Sequence, residues 1–234
     1  QRQELRGFEA IFQASPRLEA LTREARRMAP LDAPLLIQGE TGTGKELLAR
    51  ACHLASPRGQ APFMALNCAG LPESMAETEL FGYAPGAFEG ARPEGKLGLL
   101  ELTAGGTIFL DEVGEMSPRL QAKLLRFLQD GGFRRVGSDE ETWLDVRVIC
   151  ATQQDLPRLC AEGRFRHDLF HRLNVLSLVV PPLRDCRDGI PALAEHFLDR
   201  AARQIGCPLP ALSAAALARL AAYPWPGNVR QLEN

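Results

Sequence analysis

The chain contains no apolar run that approaches the ~20 residues needed to span a bilayer. Its longest apolar stretches, such as Val175-Leu176-Ser177-Leu178-Val179-Val180, are far too short, and no secretory leader is visible. Nothing therefore points to a membrane partner. The cysteines (Cys52, Cys68, Cys150, Cys160, Cys186, Cys207) are scattered without a C-x-x-C pair, which excludes an obvious zinc site or disulfide framework and fits a reducing cytoplasm. Excess charge is also lacking: 27 Lys+Arg against 29 Asp+Glu leave a net charge of −2, so the chain as a whole offers no electrostatic footprint for nucleic acid. If the protein acts on DNA, another segment is expected to bind it. What is present is ordinary for a soluble globular protein, with 45% apolar and 24% charged residues in 234. That length predicts one large unit and a smaller one. Because the chain opens on Gln1 and stops at Asn234 inside a helical pattern, the expectation is a piece of a longer protein.

The stretch that organises the rest is Gly39-Glu40-Thr41-Gly42-Thr43-Gly44-Lys45-Glu46. It follows the apolar run Pro34 to Gln38 and opens the helical pattern Leu47 to Cys52, giving strand, glycine loop, helix. Gly39, four residues, then Gly44-Lys45 is the spacing of a phosphate-binding loop. Its glycines let successive N–H groups converge on one anion, and the helix N-terminus behind them adds partial positive charge. Lys45 is then placed against the β- and γ-phosphates. Glu46 stands where Ser or Thr usually offers Mg²⁺ a hydroxyl, so a metal must be held otherwise.

Further along, Gly106 to Glu112 reads as a buried strand ending in two carboxylates. Beside a phosphate loop, Asp111 is the natural Mg²⁺ anchor and Glu112 the natural polariser of an attacking water. Pro62 to Asn67 reads as a second buried strand, and Val146 to Gln153 and about Asn174 to Val180 as two more. Helices are expected over Pro16 to Met28 behind a Ser15 cap, Glu73 to Phe81, Pro118 to Asp130, Gly189 to Ile205, Ser213 to Ala222 and from Pro226 on. Between Gly82 and Ala91 the density of Gly and Pro predicts a protruding loop with Phe88 near its tip, tucked back or offered to a partner. His167-Asp168-Leu169-Phe170-His171 imitates a zinc helix, but the Asp is too short, no third ligand is evident and arginines crowd the segment, so no zinc is assigned there. Strands alternating with helices over residues 1–182 predict an α/β, doubly wound parallel sheet, with residues 183–234 forming a small all-helical lid truncated at its C-terminal end.

The strings GETGTGKE (39–46), ELFGYAPGAFEGA (79–91), GGTIFLDEVGEM (105–116), LLRFLQDGGFRRVG (124–137), FRHDLFHRLNV (165–175), PPLRD (181–185) and WPGNVRQLEN (225–234) together resemble the AAA+ domain of bacterial enhancer-binding transcription regulators, the class that activates sigma-54 RNA polymerase. Within that class the chain is most similar to the aromatic-amino-acid-responsive TyrR/PhhR subgroup. The resemblance implies a P-loop AAA+ fold with a five-stranded sheet, the cofactors ATP and Mg²⁺, and an ATPase producing ADP and phosphate whose turnover is left open between normal and slow.

By position, the resemblance further implies that Asn67 is a switch residue holding Glu112 aside, that Thr152 and Gln153 sense the γ-phosphate, that Arg166 and Arg172 reach a neighbouring subunit's nucleotide, and that Arg230 contributes from the lid. The partners it implies are the chain itself in a ring or other oligomer, a hexamer among the candidates, RNA polymerase, DNA through a C-terminal helix-turn-helix, and an aromatic amino acid through an N-terminal domain. Sigma-54 activators carry threonine in the loop tip where this chain has Glu89. The TyrR-like members have lost that contact and work with sigma-70 polymerase, and the same is inferred here; a sigma-54 activator that tolerates Glu89 is the alternative.

Overall fold

In a computed structural model, described for residue 12, residues 14–208 and residues 211–234, the chain forms one parallel sheet packed between helices, followed by a helical segment. The first helix, α1 (Pro16–Met28), starts where expected. The Ser15 hydroxyl accepts the Leu18 N–H at 3.4 Å, and Pro16 occupies a first-turn position that needs no donor.

Then follow β1 (Leu35–Gln38), α2 (Lys45–Leu54), β2 (Phe63–Asn67), α3 (Glu73–Phe81), α4 (Leu99–Leu102), β3 (Thr107–Asp111), α5 (Pro118–Asp130), β4 (Gly132–Arg134), β5 (Glu141–Trp143), β6 (Arg147–Thr152), α6 (Leu156–Ala161), α7 (His167–Leu173) and β7 (Leu176–Val179). The helical segment contains α8 (Ile190–Ile205), α9 (Ala214–Ala222) and α10 (Asn228–Glu233). No helix among the described residues is long and apolar enough to cross a membrane.

The sheet order is β2-β3-β6-β1-β7, with every neighbouring pair parallel. Strand periodicity of two then sorts the core. Leu36, Ile108, Leu110, Val148 and Cys150 pack on one face with α3, α5, α6 and α7, while Leu35, Ile37, Phe109, Ile149, Ala151 and Leu178 pack on the other with α1 and α2. The second cluster continues into the helical segment through Ile190, Leu193, Phe197, Trp225 and Val229. The segment is thus seated on the sheet's own packing layer.

Two expectations need correction. The strand ending at Asn67 is not buried on both faces. It lies at the sheet edge and among the described residues pairs only with β3, with Ala65 and Asn67 exposed. Residues 132–143 also form an antiparallel hairpin, β4 with β5, that was not expected. Gly131 closes α5 and the chain enters a three-residue strand at once, too short to show an alternation.

The glycine-rich loop after α3 is anchored at its base, where Tyr83 bridges to Lys96 and Val136. Phe88 settles between its two alternatives. Its ring leans edge-on against Tyr83 at 5.0 Å between centroids, yet it remains 46% exposed.

Candidate nucleotide-binding site

The strand order places three C-terminal strand ends side by side: β3 with Asp111-Glu112, β6 with Thr152-Gln153, and β1 with the glycine loop. Ligands of open α/β sheets bind at this end. One strand, β6, separates the loop from the carboxylates, and its terminal residues join the two. The Gln153 N–H donates to Glu112 Oε2 at 3.2 Å, and the Thr41 hydroxyl donates to Gln153 Oε1 at 2.5 Å.

The loop itself is held open from within. Lys45, only 7% exposed, donates Nζ to the carbonyls of Gly39 at 2.9 Å and Glu40 at 3.3 Å, and the Thr43 hydroxyl donates to the Glu40 carbonyl at 2.8 Å. The amides of Thr41, Gly42 and Gly44 have no acceptor among the described residues. Three unpaired N–H groups at the start of α2, beside a buried ammonium, are what an anion of phosphate size requires.

Lys45 Nζ lies 3.7 Å from Glu112 Oε1, which brings the loop's cation against the carboxylate expected to act on water. Glu112 is buried and adopts a left-handed backbone at φ +53, a strained conformation of the kind that clusters at functional sites. Burial pushes the Asp111 carboxyl above its usual range, against the pull of Lys45, and Glu46 adds to the rise. A desolvated carboxylate of this kind gains from a cation. No group of three His, Cys, Asp or Glu side chains among the described residues encloses a metal by itself. Mg²⁺ is commonly held by one or two carboxylates together with substrate phosphates and water, and Asp111 is a carboxylate of that kind at this strand end.

Asn67 stands in register with Asp111 on the neighbouring strand. Its side-chain oxygen accepts the Ala69 N–H at 2.9 Å, and no hydrogen bond joins it to Glu112 among the described residues. Thr152 is fully buried. Its carbonyl accepts the Gly39 N–H at 3.2 Å, while its hydroxyl accepts Gln154 N–H at 3.0 Å rather than facing the loop. Glu46 is exposed and pairs with Arg50 at 3.0 Å.

Arg230 sits on α10 with its Cβ close over Gly42, and its backbone N–H donates to the Gly42 carbonyl at 3.2 Å. Arg166 and Arg172 lie elsewhere, exposed around α7. Arg166 forks Asp168 at 3.0 and 2.8 Å, and among the described residues neither arginine is bonded to the loop or to Glu112. They do not complete this chain's own site.

Two site residues escape sequence reasoning. Arg184 makes a bidentate pair with Glu40 at 2.8 and 2.5 Å, and Asn228 donates to the same carboxylate at 3.1 Å. Arg184 first, then Asn228, hold the Glu40 carboxyl down to about 2. Both residues lie in strings that drew attention, PPLRD and PGN, but nothing local in those strings signals a bond to a loop more than 140 positions away.

The residues of this site sit within a pattern shared by known proteins. The family model described as the Sigma-54 interaction domain matches residues 11–179, and that of the AAA+ ATPase lid domain matches residues 184–234. The chain belongs to the sigma-54 interaction domain family. It is 55% identical over 232 residues to the HTH-type transcriptional regulatory protein TyrR of Salmonella typhimurium, covering 99% of this chain and 44% of that protein. It is 48% identical over 229 residues to the Nif-specific regulatory protein of Azotobacter vinelandii, covering 97% of this chain and 44% of that one. The chain thus spans under half the length of these curated relatives. A crystal structure of NtrX from Brucella abortus in complex with ATP superposes with a TM-score of 0.86 at 42% identity, covering 94% of this chain and 50% of the other. The P-loop AAA+ fold expected of the sigma-54 interaction domain is therefore the fold observed.

Proposed function

We propose that this chain is the ATP-binding module of a bacterial transcription regulator, that it hydrolyses ATP to ADP and phosphate, and that its nucleotide state drives self-association. The observation carrying this reading is the juxtaposition of three acceptor-free loop amides, the buried Lys45 and the carboxylates Asp111 and Glu112 at adjoining strand ends. The ATP complex of NtrX supports it by similarity.

In this reading Gly39 to Glu46 cradle the phosphates, with Lys45 exchanging its carbonyl contacts for phosphate oxygens. Asp111 holds Mg²⁺, which when bound neutralises charge on the phosphates. Glu112 orients and deprotonates the attacking water. Its hydrogen bond from Gln153 N–H and its proximity to Lys45 fix the carboxylate between the loop and β6. Gln153, joined to Thr41, reports whether the third phosphate is present, while buried Thr152 fixes the strand end beneath it through the Gly39 and Gln154 N–H groups, and Asn67 acts as the switch once its bond to Ala69 is released. Arg230 adds charge from the lid.

Arg166 and Arg172, exposed and apart from this chain's own loop, act on a neighbouring copy's nucleotide, so assembly and hydrolysis are coupled. The nucleotide-binding part is residues 1–182 and the lid residues 183–234. In the whole protein, which we place in the cytoplasm, a helix-turn-helix after the lid binds DNA and a domain before residue 1 binds an aromatic amino acid. Glu89 replaces the loop-tip hydroxyl by a charge, and with the TyrR similarity this supports control of aromatic amino acid genes with sigma-70 polymerase.

Similarity to Nif-specific regulators and the family itself favour a second reading, a sigma-54 activator that remodels the polymerase despite Glu89. Sedimentation of the whole protein with and without ATP·Mg²⁺ and an aromatic amino acid tests the first reading, for which mass must rise with ligand. A constant mass under all conditions sinks it. Capture of sigma-54 in the presence of a transition-state analogue of ATP would establish the second.

A further inference from the structure

The lid meets the phosphate loop through donors that land on oxygen atoms. Asn228 is fully buried at φ +52, and its Nδ2 donates to the Thr41 carbonyl at 3.0 Å as well as to Glu40 Oε2, while its Oδ1 accepts the Leu183 N–H at 2.8 Å. The Gly42 carbonyl accepts the Arg230 N–H, and Lys45 Nζ engages the carbonyls of Gly39 and Glu40. Every carbonyl from residue 39 to residue 42 is thus held by a donor. In a trans peptide the carbonyl of one residue and the N–H of the next point in opposite directions, so a donor that holds the Thr41 carbonyl aims the Gly42 N–H the other way. The Thr41–Gly42 peptide most needs such a hold, because glycine's tolerance of either sign of φ leaves that plane free to turn over. Turned over, it would present a carbonyl to an incoming phosphate.

We propose that Asn228 is a positioning residue that locks the Thr41–Gly42 peptide, so that the Gly42 amide faces the phosphate position before nucleotide arrives. This rests on the nucleotide reading of the site. Glu40, fixed by Arg184, supplies the second anchor that keeps the Asn228 amide in place. The lid therefore builds part of the phosphate cradle from outside it.

The test compares wild-type protein with Asn228→Gly, which keeps the left-handed backbone and removes the three side-chain contacts, to Thr41, Glu40 and Leu183. Affinity for ADP is expected to fall tenfold or more, affinity for adenosine to stay within twofold, and the loss in ATP turnover to appear in KM and not in kcat. ADP affinity within twofold of wild type, or equal losses for ADP and adenosine, overturns the proposal. A measurement on wild type keeps the question answerable if the variant does not fold. In the ligand-free protein the Gly42 amide should show no microsecond-to-millisecond exchange broadening in NMR relaxation dispersion, and broadening there overturns the lock. Failure of wild-type protein to bind ADP would strike the nucleotide reading, while the relaxation measurement would still decide whether the peptide is fixed.

Discussion

Two glycine-rich loops of this chain, 39–44 and 82–91, have similar composition and opposite situations. The first is bonded through its carbonyls and side chains, by Lys45 and Thr43 from within, by Gln153 just past β6, and by Arg184, Asn228 and Arg230 from the lid, which leaves the amides of Thr41, Gly42 and Gly44 without an acceptor among the described residues. The second is held at its base, where Tyr83 pairs with Lys96 and the Ala84 N–H donates to the Val136 carbonyl, and beyond that Ala87 beside Gly137 and Phe88 against Tyr83 tie it down. A Cβ added at Gly42 would meet the Gly227 carbonyl oxygen at 2.4 Å, whereas one added at Gly90 would meet nothing within 4 Å. Glycine serves close approach in one loop and an open turn in the other. The first reads as a cradle for a small charged ligand, the second as a surface offered outward.

The strongest way to break the cradle is Lys45→Ala. It is expected to abolish ATP binding in isothermal calorimetry while thermal unfolding shows a folded protein; retained binding would remove the loop from its assigned role. Glu112→Gln should bind ATP with near wild-type affinity and lose turnover by about a hundredfold or more, on the general scale of acid–base catalysis. Normal hydrolysis by this variant would refute the mechanism.

The two glycines sharpen the contrast directly. Gly90→Ala, with φ +84 and open space, should cost about 1 kcal/mol for its left-handed backbone alone. Gly42→Ala, with φ +79 and the Gly227 clash, should cost about 2–4 kcal/mol and weaken ADP binding as well. Urea unfolding of the pair measures the difference, and equal costs would mean that the lid contact yields freely.

A smaller effect concerns acid. Glu40 is depressed to about 2, so the contribution of its ion pair is fully present above the ordinary carboxylate range and is lost as pH falls from there through about 2. Arg184→Gln should therefore lower stability slightly at pH 7 and flatten its decline on acidification; an unchanged acid profile would show that the pair contributes nothing. The smallest effect is expected at the other loop. Glu89→Thr should leave ATP affinity unaltered; sigma-54 capture already shown by the unchanged chain and only strengthened by this change would favour the second functional reading.

Much of this was legible locally. The phosphate loop, Asp111-Glu112 and the helices from Ser15 and over Pro118–Asp130 are written in contiguous residues whose caps, glycines and apolar spacing need no distant partner. Harder to read was whatever depends on pairing. Whether β2 lies at an edge or in the interior is decided by its neighbours, not by Phe63 to Asn67 themselves. The β4–β5 hairpin is too short to show a period. Asn228 and Arg184 carry no sign of the loop they hold, since a polar residue after Pro-Gly or after Pro-Pro-Leu is equally at home as a simple cap. Arg230 is singled out by the family resemblance, which assigns no role to the nearby Asn228 that holds the peptide.

The shared packing layer beneath β1 and β7 has a practical corollary for anyone who dissects the molecule. Because Ile190, Leu193, Phe197 and Trp225 belong to the same buried cluster as Leu35, Ile37 and Leu178, a fragment ending at Pro182 would bare the apolar side chains they now cover, even with α1 and α2 still packed on the sheet. Such a fragment should clump and bind hydrophobic dyes, whatever its affinity for nucleotide. Cutting off the cap would spoil the vessel.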